Sequence, residues 1–355
     1  MPQYRSYDEN SIVEYLKKEH ADVLFGIRQI KKVKVKSIEV DVGKINSYRD
    51  EHIGDALDFY IDADDLNYYM EDVVAMCREL KVHRLTIRIP DKNFYLKELE
   101  GLLHMVEQVC FEIGDNASDD GRIKTYLLKR YGEEIKVHHA EIPWEEPGKN
   151  YIYDSAVMIP YILHKAIMGE NEKIEYKLVD SGRSSALASG ERSLLNAHGM
   201  RKPAYYAYKM ISDLVCGNIV DTGEGYAVSR CGETTRVLVY AEVQPCKVYK
   251  NPESLIKTTQ AEIEIEERVV KLHNMNGTFR VQYYYYENQN SLLDVYGNFG
   301  YRNSLDRNEE EFVRWVTVPM TGFFTKKVLG LFTLDVKLTP NAAYMFIINA
   351  EETEK

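Results

Sequence analysis

The chain has 355 residues, which is too long for one compact sandwich or bundle. This length fits a large barrel, alone or with a smaller domain. Its 45 Lys and Arg residues against 56 Asp and Glu residues give a net charge of −11, which argues against a phosphate backbone or an anionic lipid surface as the main partner. With 45% hydrophobic and 28% charged residues, the composition excludes a largely disordered chain.

The predicted elements begin with an N-terminal helical arm, residues 1–34, in which apolar residues follow a helical period. Short β-branched runs then alternate with longer amphipathic stretches, which is typical of a parallel sheet with crossover helices. The predicted strands are Val35–Val42, Leu85–Ile89, Val109–Ile113, Ile135–Ile142 and Tyr176–Val179. The predicted helices are Asp65–Leu80, Tyr95–Val106, Arg122–Tyr131, Ser155–Met168 and Pro203–Leu214, and the Gly- and Ser-rich segment 181–199 is predicted to be a loop.

After about Cys216 the pattern changes to period-two runs separated by Gly, Asn and Asp, without intervening crossover helices. The predicted strands are Tyr226–Val228, Arg236–Tyr240, Ala261–Ile265, Val269–His273, Thr278–Tyr286, Leu331–Leu338 and Tyr344–Ile348. This pattern indicates an antiparallel β-sandwich. We therefore expect a parallel α/β domain over residues 35–216 and a sandwich over residues 217–355.

The five cysteines are widely spaced and include no CxxC pair, which favours a reducing compartment over a zinc site or a disulfide framework. The first twenty residues carry acids and no apolar signal-peptide core, and no window approaches the roughly 18 apolar residues of a membrane span. The sequence thus predicts a soluble cytoplasmic protein without a metal, cofactor or membrane partner. The excess of acidic over basic residues also predicts that the chain makes no direct contact with nucleic acid.

The segment that follows the strand predicted at Ile135–Ile142 is the strongest candidate for chemistry. Glu141 lies at the end of that strand, and Trp144, Glu145 and Glu146 follow it in a loop with two prolines. In α/β barrels the carboxyl ends of the strands carry the catalytic residues. A solvated acidic loop with Trp144 as a packing anchor is the alternative.

The order of these motifs resembles glycoside hydrolase family 39, the β-xylosidase-like family, particularly the module fused to AraC-type transcription regulators. The resemblance runs from about Val35 to Ile348. The segments that carry it are EIPWEEPGKNYIYDSAVMIPYILHKAI, KLVDSGRS, LLNAHGMRKPAYYAYKMISDL and LHNMNGTFRVQYYYYENQNSLLDVYGNFG. It implies a (β/α) barrel followed by a β-sandwich, and a ligand that is a sugar or oligosaccharide of the pentose type.

The resemblance also implies roles for individual residues. Glu141 matches the nucleophile position, whereas the segment FEIGDNA places Asn116 at the acid/base position, with Asp115 one residue earlier. A retaining glycosidase needs two carboxyl groups about 5–5.5 Å apart, and an amide cannot donate the required proton. A rival alignment makes Glu146 the acid/base and leaves no nucleophile. In both alignments one of the two carboxyl groups is missing.

The barrel-like part is also short, at about 180 residues, against roughly 200 for the smallest eight-stranded barrels. We therefore expect a reduced or incomplete TIM-type barrel whose open edges are covered by the N-terminal arm, the sandwich or a second subunit.

These departures favour a non-catalytic carbohydrate-binding or sensory module, the effector part of a sugar-responsive regulator, with a cleft lined by Glu141, Trp144 and Asp180. One alternative is an active retaining β-xylosidase in which Asp115, Glu112 or Glu145 is a displaced acid. Another alternative is a structural or dimerisation scaffold.

Overall fold

The computed structural model describes residues 30–43, 53, 55–89, 99–114, 120–132, 135–139, 148–169, 175–181, 186–244, 247–260, 263–301 and 305–351. Residues 1–29 of the predicted N-terminal arm lie outside these ranges. The first described element is strand β1 (Ile30–Asp41), so the last residues of the predicted arm are extended rather than helical. The described chain forms a six-stranded sheet and a seven-stranded sheet.

The six-stranded sheet is parallel throughout, with the spatial order β5-β4-β3-β2-β6-β7. Its strands are β2 (Asp58–Asp62), β3 (Arg84–Ile89), β4 (Gln108–Ile113), β5 (Ile135–His139), β6 (Tyr176–Val179) and β7 (Ser193–Leu195). Strand β2 lies inside the sheet, between β3 on one side and β6 on the other. In the described residues β5 and β7 form the two edges.

Within the part of the chain that the structure describes, six helices accompany these strands. They are α1 (Ala63–Tyr68), α2 (Met70–Leu80), α3 (Glu100–Leu103), α4 (Asp120–Tyr131), α5 (Met158–Met168) and α6 (Pro203–Leu214). Proline at the first position of α6 has the backbone angle that a helix needs there and lacks only an N–H that would be unpaired. Of the described helices, none is long and apolar enough to cross a membrane.

The segment predicted as a loop at 181–199 contains strand β7. The outer edge of this strand is partly bonded by the chain that follows it, because the Lys202 N–H donates to the Leu194 carbonyl at 2.8 Å and Arg201 forms a bridge with Leu195. A sheet edge whose N–H and C=O groups are already paired cannot hydrogen-bond to a further strand. This edge is therefore covered from within the chain.

The seven-stranded sheet is built around one very long strand, β11 (Ile263–Tyr286). Its first half pairs with β1 and its second half with β13 (Ala343–Ala350), while β12 (Met320–Leu338) runs along the opposite edge. The sheet continues through β10 (Thr234–Tyr240), β9 (Tyr226–Cys231) and β8 (Asn218–Gly223). Because Arg230 on β9 donates to the Val42 carbonyl just after β1, the sheet nearly closes on itself.

Three sequence-based predictions for these strands are wrong. The strand at Val35–Val42 lies in the seven-stranded sheet, since β1 is hydrogen-bonded to β11. Its alternation of lysines with apolar residues suits a strand with one solvated face better than a barrel strand covered on both faces. The second sheet is mixed rather than purely antiparallel, because the β1–β11 pair is parallel. The three strands predicted between 261 and 286 form one continuous strand.

This part of the chain also contains helices that the period-two pattern did not predict. They are α7 (Pro252–Gln260), α8 (Leu292–Asn298) and α9 (Arg307–Val316). Helix α9 begins with a capping box in which Asp306 and Glu309 each bind the other's backbone N–H. Arg314 of α9 donates hydrogen bonds to the carbonyls of His198 and Gly199. These two bonds join α9 to the segment after β7.

The two sheets share a continuous core that passes through α6. Tyr206 of α6 stacks on Tyr286 of β11 with ring centroids 5.0 Å apart, and the Tyr284 hydroxyl donates to Asp213 at 2.7 Å. A second apolar core fills the seven-stranded sheet around Phe332, whose side chain is fully buried. The shared core implies that the helical layer positions the parallel sheet against the second sheet.

Candidate functional site

One face of the parallel sheet is polar. The strand register aligns Asp62, Arg88, Glu112 and His138 in one row, and Tyr60, Thr86, Cys110 and Lys136 in the next. The residues between them point to the opposite face and are buried against the helices; they include Phe59, Ile61, Leu85, Ile87, Val109 and Phe111. Parallel sheets are usually covered by apolar contacts on both faces. The polar face is therefore the candidate functional surface, and we call its first row the rim row.

Arg88 is the central group of the rim row. Its guanidinium binds Glu112 through Nε at 3.2 Å and Glu175 through Nη2 at 3.1 Å, and it lies 3.8 Å over the centre of the Tyr60 ring. The Arg88 side chain is 14% exposed and that of Glu112 is 26% exposed. Burial raises the pKa of the Tyr60 hydroxyl, and the positive charge of Arg88 opposes that shift. The polar face thus presents a neutral phenol from the second row beside the paired guanidinium of the rim row.

Lys177 of β6 completes the polar face next to β2. Its ammonium group binds Asp62 and also Asp65, the latter at 2.7 Å. Burial by itself would lower the pKa of Lys177, but the two carboxylates outweigh it and raise the pKa above its usual value. The lysine therefore stays charged at neutral pH.

A second cluster of charged groups lies beneath the surface, between β6 and the start of α6. Lys202 Nζ is 2.7 Å from Asp154 Oδ1 and 3.2 Å from Asp180 Oδ1, and all three side chains are fully buried. Lys202 also donates to the Glu191 carbonyl at 2.7 Å. A buried ammonium group between two carboxylates offsets only one of their two charges.

The carboxylates of this buried cluster also accept hydrogen bonds from the loop before β7 and from the first residue of β7. Ser189 and Ser193 donate their hydroxyls to Asp180, and the Gly190 N–H donates to Asp154 Oδ2 at 2.6 Å. Gly190 has a φ of +71°, and a Cβ there would lie 3.2 Å from the Asn150 backbone nitrogen. The cluster therefore joins the 3-10 turn Tyr151–Asp154, the end of β6 and the start of α6.

The pKa of Asp154 is raised to about 6, first by burial and then by the negative charge of Asp180, while Lys202 and the Gly190 N–H oppose the shift. Between about pH 4 and pH 6 the folded protein then holds a proton that the unfolded chain has lost. Stability falls with rising pH wherever the native state binds more protons.

We predict a characteristic pH dependence for Asp154→Asn. The free energy of unfolding of the native protein, taken relative to this variant, should decrease from pH 4 to pH 6 by at most about 1.4 kcal/mol per unit and level off above pH 7. Urea unfolding across that pH range measures it, with Asp335→Asn, on the exposed side of β12, as the control. An increase over the same range would contradict the assigned proton.

The structure describes one of the six site residues predicted from sequence. Asp180 follows β6 and belongs to the buried cluster, with no exposed side-chain surface. The other predicted site residues, Asp115, Asn116, Glu141, Trp144 and Glu146, lie outside the described residues. Of the three displaced acids considered, Glu112 lies in the rim row, paired with Arg88, whereas Asp115 and Glu145 lie outside the described residues.

Sequence reasoning missed Tyr60, Asp62, Arg88 and Lys177. A signal for the first three exists in the alternation DFYID and RLTIRI, where every second residue is polar within strands of a parallel sheet, whereas the YKLV strand that carries Lys177 has no such alternation. Within the described ranges, no group of three or more His, Cys, Asp and Glu side chains is arranged to hold a metal ion.

Comparison with known proteins identifies the fold. No protein-family model matches the chain, and no curated protein sequence matches it. Among solved structures, the GH39 enzyme from Xanthomonas axonopodis pv. citri has a TM-score of 0.69 and 13% identity, covering 90% of this chain and 98% of that one.

Two further structures agree with it. A monomeric β-xylosidase from Caulobacter crescentus CB15 has a TM-score of 0.68 at 12% identity, with 89% of this chain and 99% of that chain covered. A GH39 β-xylosidase from Caulobacter crescentus has a TM-score of 0.57 at 12% identity, with coverages of 89% and 100%. At these identities the likeness concerns architecture. The chain therefore has a glycosidase-like fold, similar to that of the family 39 β-xylosidases.

Proposed function

We propose that this protein is a non-catalytic, glycoside-hydrolase-like module that binds a pentose-type sugar or oligosaccharide at the polar face of its parallel sheet. The observation that carries the proposal is the rim row, in which Asp62, Arg88 and Glu112 are half-buried and each has a partner of opposite charge. Such a surface offers donors and acceptors to hydroxyl groups without requiring a charged ligand.

The pairing of the carboxylates supports binding rather than hydrolysis. Retaining glycosidases need one free carboxylate as nucleophile and a second carboxyl group as proton donor. Arg88 and Lys177 hold Glu112 and Asp62 in ion pairs, so neither carboxylate is free to act as the nucleophile. The sequence alignment that places Asn116 at the acid/base position supports the same reading.

The wider role follows from the same resemblance. We propose that the parallel sheet is an incomplete TIM-type barrel, that the seven-stranded sheet is its accompanying sandwich, and that Glu141 and Trp144 line the cleft. The module would act in the cytoplasm as the effector part of a sugar-responsive regulator and would associate with a second copy of itself.

Ligand binding is tested by thermal unfolding in the presence of xylose, xylobiose and arabinose, beside a chromogenic β-xyloside assay. A sugar at about 100 times its Kd should add roughly 2.7 kcal/mol to the free energy of unfolding, seen as a higher Tm without turnover. Glu112→Gln should reduce the shift, whereas Asp335→Asn on the far sheet should leave it unchanged.

The other outcomes separate the alternatives. Turnover that is abolished by Glu141→Gln would contradict the proposal and indicate an active glycosidase with a displaced acid. The absence of both turnover and stabilisation would favour a structural scaffold whose pocket no longer binds sugar.

A further inference from the structure

A cavity of about 520 Å³ lies away from the polar face, between the end of β1, the C-terminal end of α6 and the β8–β9 hairpin. Two free cysteines line it: Cys216, which is half-buried, and Cys231, which is exposed. Val42 and Arg230 form part of the same wall. The cavity is large enough to hold a small molecule beside both cysteines.

Cys216 has a basic neighbour. Lys81, the residue that follows α2, places its Nζ 2.7 Å from the Cys216 sulfur. The thiol form donates to the Ser212 carbonyl at 3.1 Å, and once the proton has left, the ammonium group remains beside the sulfur. A thiolate next to a lysine is the reactive form of cysteine. Cys216 therefore has the surroundings of a nucleophilic thiol.

The chain brings Cys231 close to Cys216. In the β8–β9 hairpin Asn218 pairs with Arg230, and Gly217 packs so tightly that a Cβ there would lie 3.0 Å from the Cys231 nitrogen. Cys216 is the residue before this glycine. Cys216 is therefore the chain neighbour of a residue in contact with Cys231, and both cysteines line the same cavity. A disulfide requires Cα atoms within about 4.4–6.8 Å of each other, which the cross-linking experiment below tests directly.

The other described cysteines are different. Cys77 is fully buried and burial raises the pKa of its thiol to about 12. Cys110, on the polar face, is 5% exposed, and burial raises the pKa of its thiol as well. Both are therefore protonated and shielded at neutral pH, so reaction with an oxidant should be selective for the cavity.

We propose that Cys216 and Cys231 form a hydroperoxide-sensitive thiol pair, with Cys216 as the attacking thiolate and Cys231 as the resolving thiol. The Cys216 sulfur attacks one peroxide oxygen, the O–O bond breaks, and the leaving hydroxide or alkoxide takes up a proton. The Cys231 thiol then attacks the sulfenic sulfur, an S–S bond forms, and water leaves with the thiol proton. The two thiols are oxidised by two electrons and the hydroperoxide is reduced.

Stoichiometric hydrogen peroxide added to the reduced full chain tests the proposal. Two of the five thiols should disappear, and non-reducing peptide mapping should show a Cys216–Cys231 cross-link. In Cys231→Ser, dimedone should instead label Cys216 as its sulfenic acid. A cross-link that involves Cys246, which lies outside the described residues, or oxidation of Cys77 or Cys110 in its place, would overturn the proposal.

The role of Lys81 has its own readout. In Lys81→Met the rate of Cys216 oxidation should drop severalfold, because the ammonium group 2.7 Å from the sulfur no longer stabilises the attacking thiolate. Lys271→Met, which removes a partly exposed lysine paired with Glu39, is the matched control and should leave the rate unchanged. Because Lys81 is exposed, both variants should keep the native Tm. Equal rates in the native protein and Lys81→Met would contradict the activation of Cys216.

Discussion

Replacing Lys202 by methionine should lower the free energy of unfolding by roughly 3–5 kcal/mol, the usual cost of removing one partner of a buried ion pair. The lysine is the cation of the buried cluster, and its loss leaves Asp154 and Asp180 without a counter-charge in a site with no exposed surface. Urea unfolding followed by circular dichroism at neutral pH measures the change.

The matched control for Lys202→Met is on the same helix. Lys209 forms an i,i+4 pair with Asp213 at 2.5 Å, with both side chains partly exposed. Lys209→Met should cost no more than about 0.5 kcal/mol, since such pairs are screened by water. Equal losses in the two variants would show that the cost comes from shortening a lysine side chain rather than from the buried charges.

A compensating variant sharpens the test. Combining Lys202→Met with Asp154→Asn and Asp180→Asn removes all three charges while keeping side chains of similar size. Replacing a whole buried charged group is often neutral, whereas breaking it is costly. The triple variant should therefore recover part of the stability lost in Lys202→Met. A further loss would indicate that the carboxylates hold the serine hydroxyls and the Gly190 N–H more strongly than an amide does.

Replacing Tyr286 by alanine should cost roughly 3–5 kcal/mol, as for other large buried aromatic side chains. Tyr286 is fully buried, stacks on Tyr206 of α6, and donates its hydroxyl to the Asn290 carbonyl at 2.5 Å. Its ring thus joins β11 of the second sheet to the helix that covers the first. The loss is measured by urea unfolding, read by both far-ultraviolet and near-ultraviolet circular dichroism.

Tyr286→Phe separates the ring from the hydroxyl. It should cost about 1 kcal/mol, the usual contribution of one hydrogen bond. A double-mutant cycle with Tyr206→Ala should then give a coupling of about 0.5–1.5 kcal/mol for the stacked pair. If Tyr286→Ala and Tyr286→Phe are equally destabilising, the hydroxyl rather than the ring joins the two parts.

The sequence alone predicted the elements whose signals are local. Helix α6 was predicted as Pro203–Leu214 and is found with those bounds, because a proline at its start and a period of 3.6 are both properties of a short segment. Strands β3, β4, β5 and β6 were also predicted close to their observed positions. Apolar and β-branched residues along a single run are sufficient for that.

Only the tertiary structure decided which strands pair. Strand β1 was predicted correctly as a strand but in the wrong sheet, because its partner β11 lies more than 200 residues later in the chain. The joining of three predicted strands into β11 has the same cause: β1, β12 and β13 hold its whole length extended. Such pairing depends on hydrogen bonds between distant segments, which a periodicity along one segment does not report.

The same division applies to the candidate site. The resemblance to family 39 pointed to a glycosidase-like fold from motifs in chain order, and the solved structures agree with that fold. The sequence did not predict the rim row or the buried cluster. Strand register aligns Asp62, Arg88 and Glu112 in the rim row. In the buried cluster, Lys202 at the start of α6 contacts Asp154 and Asp180 from other parts of the chain. The sequence determines the type of each side chain. The charge state of a side chain also depends on its partners and its burial, and these are determined only when the sheets pack together.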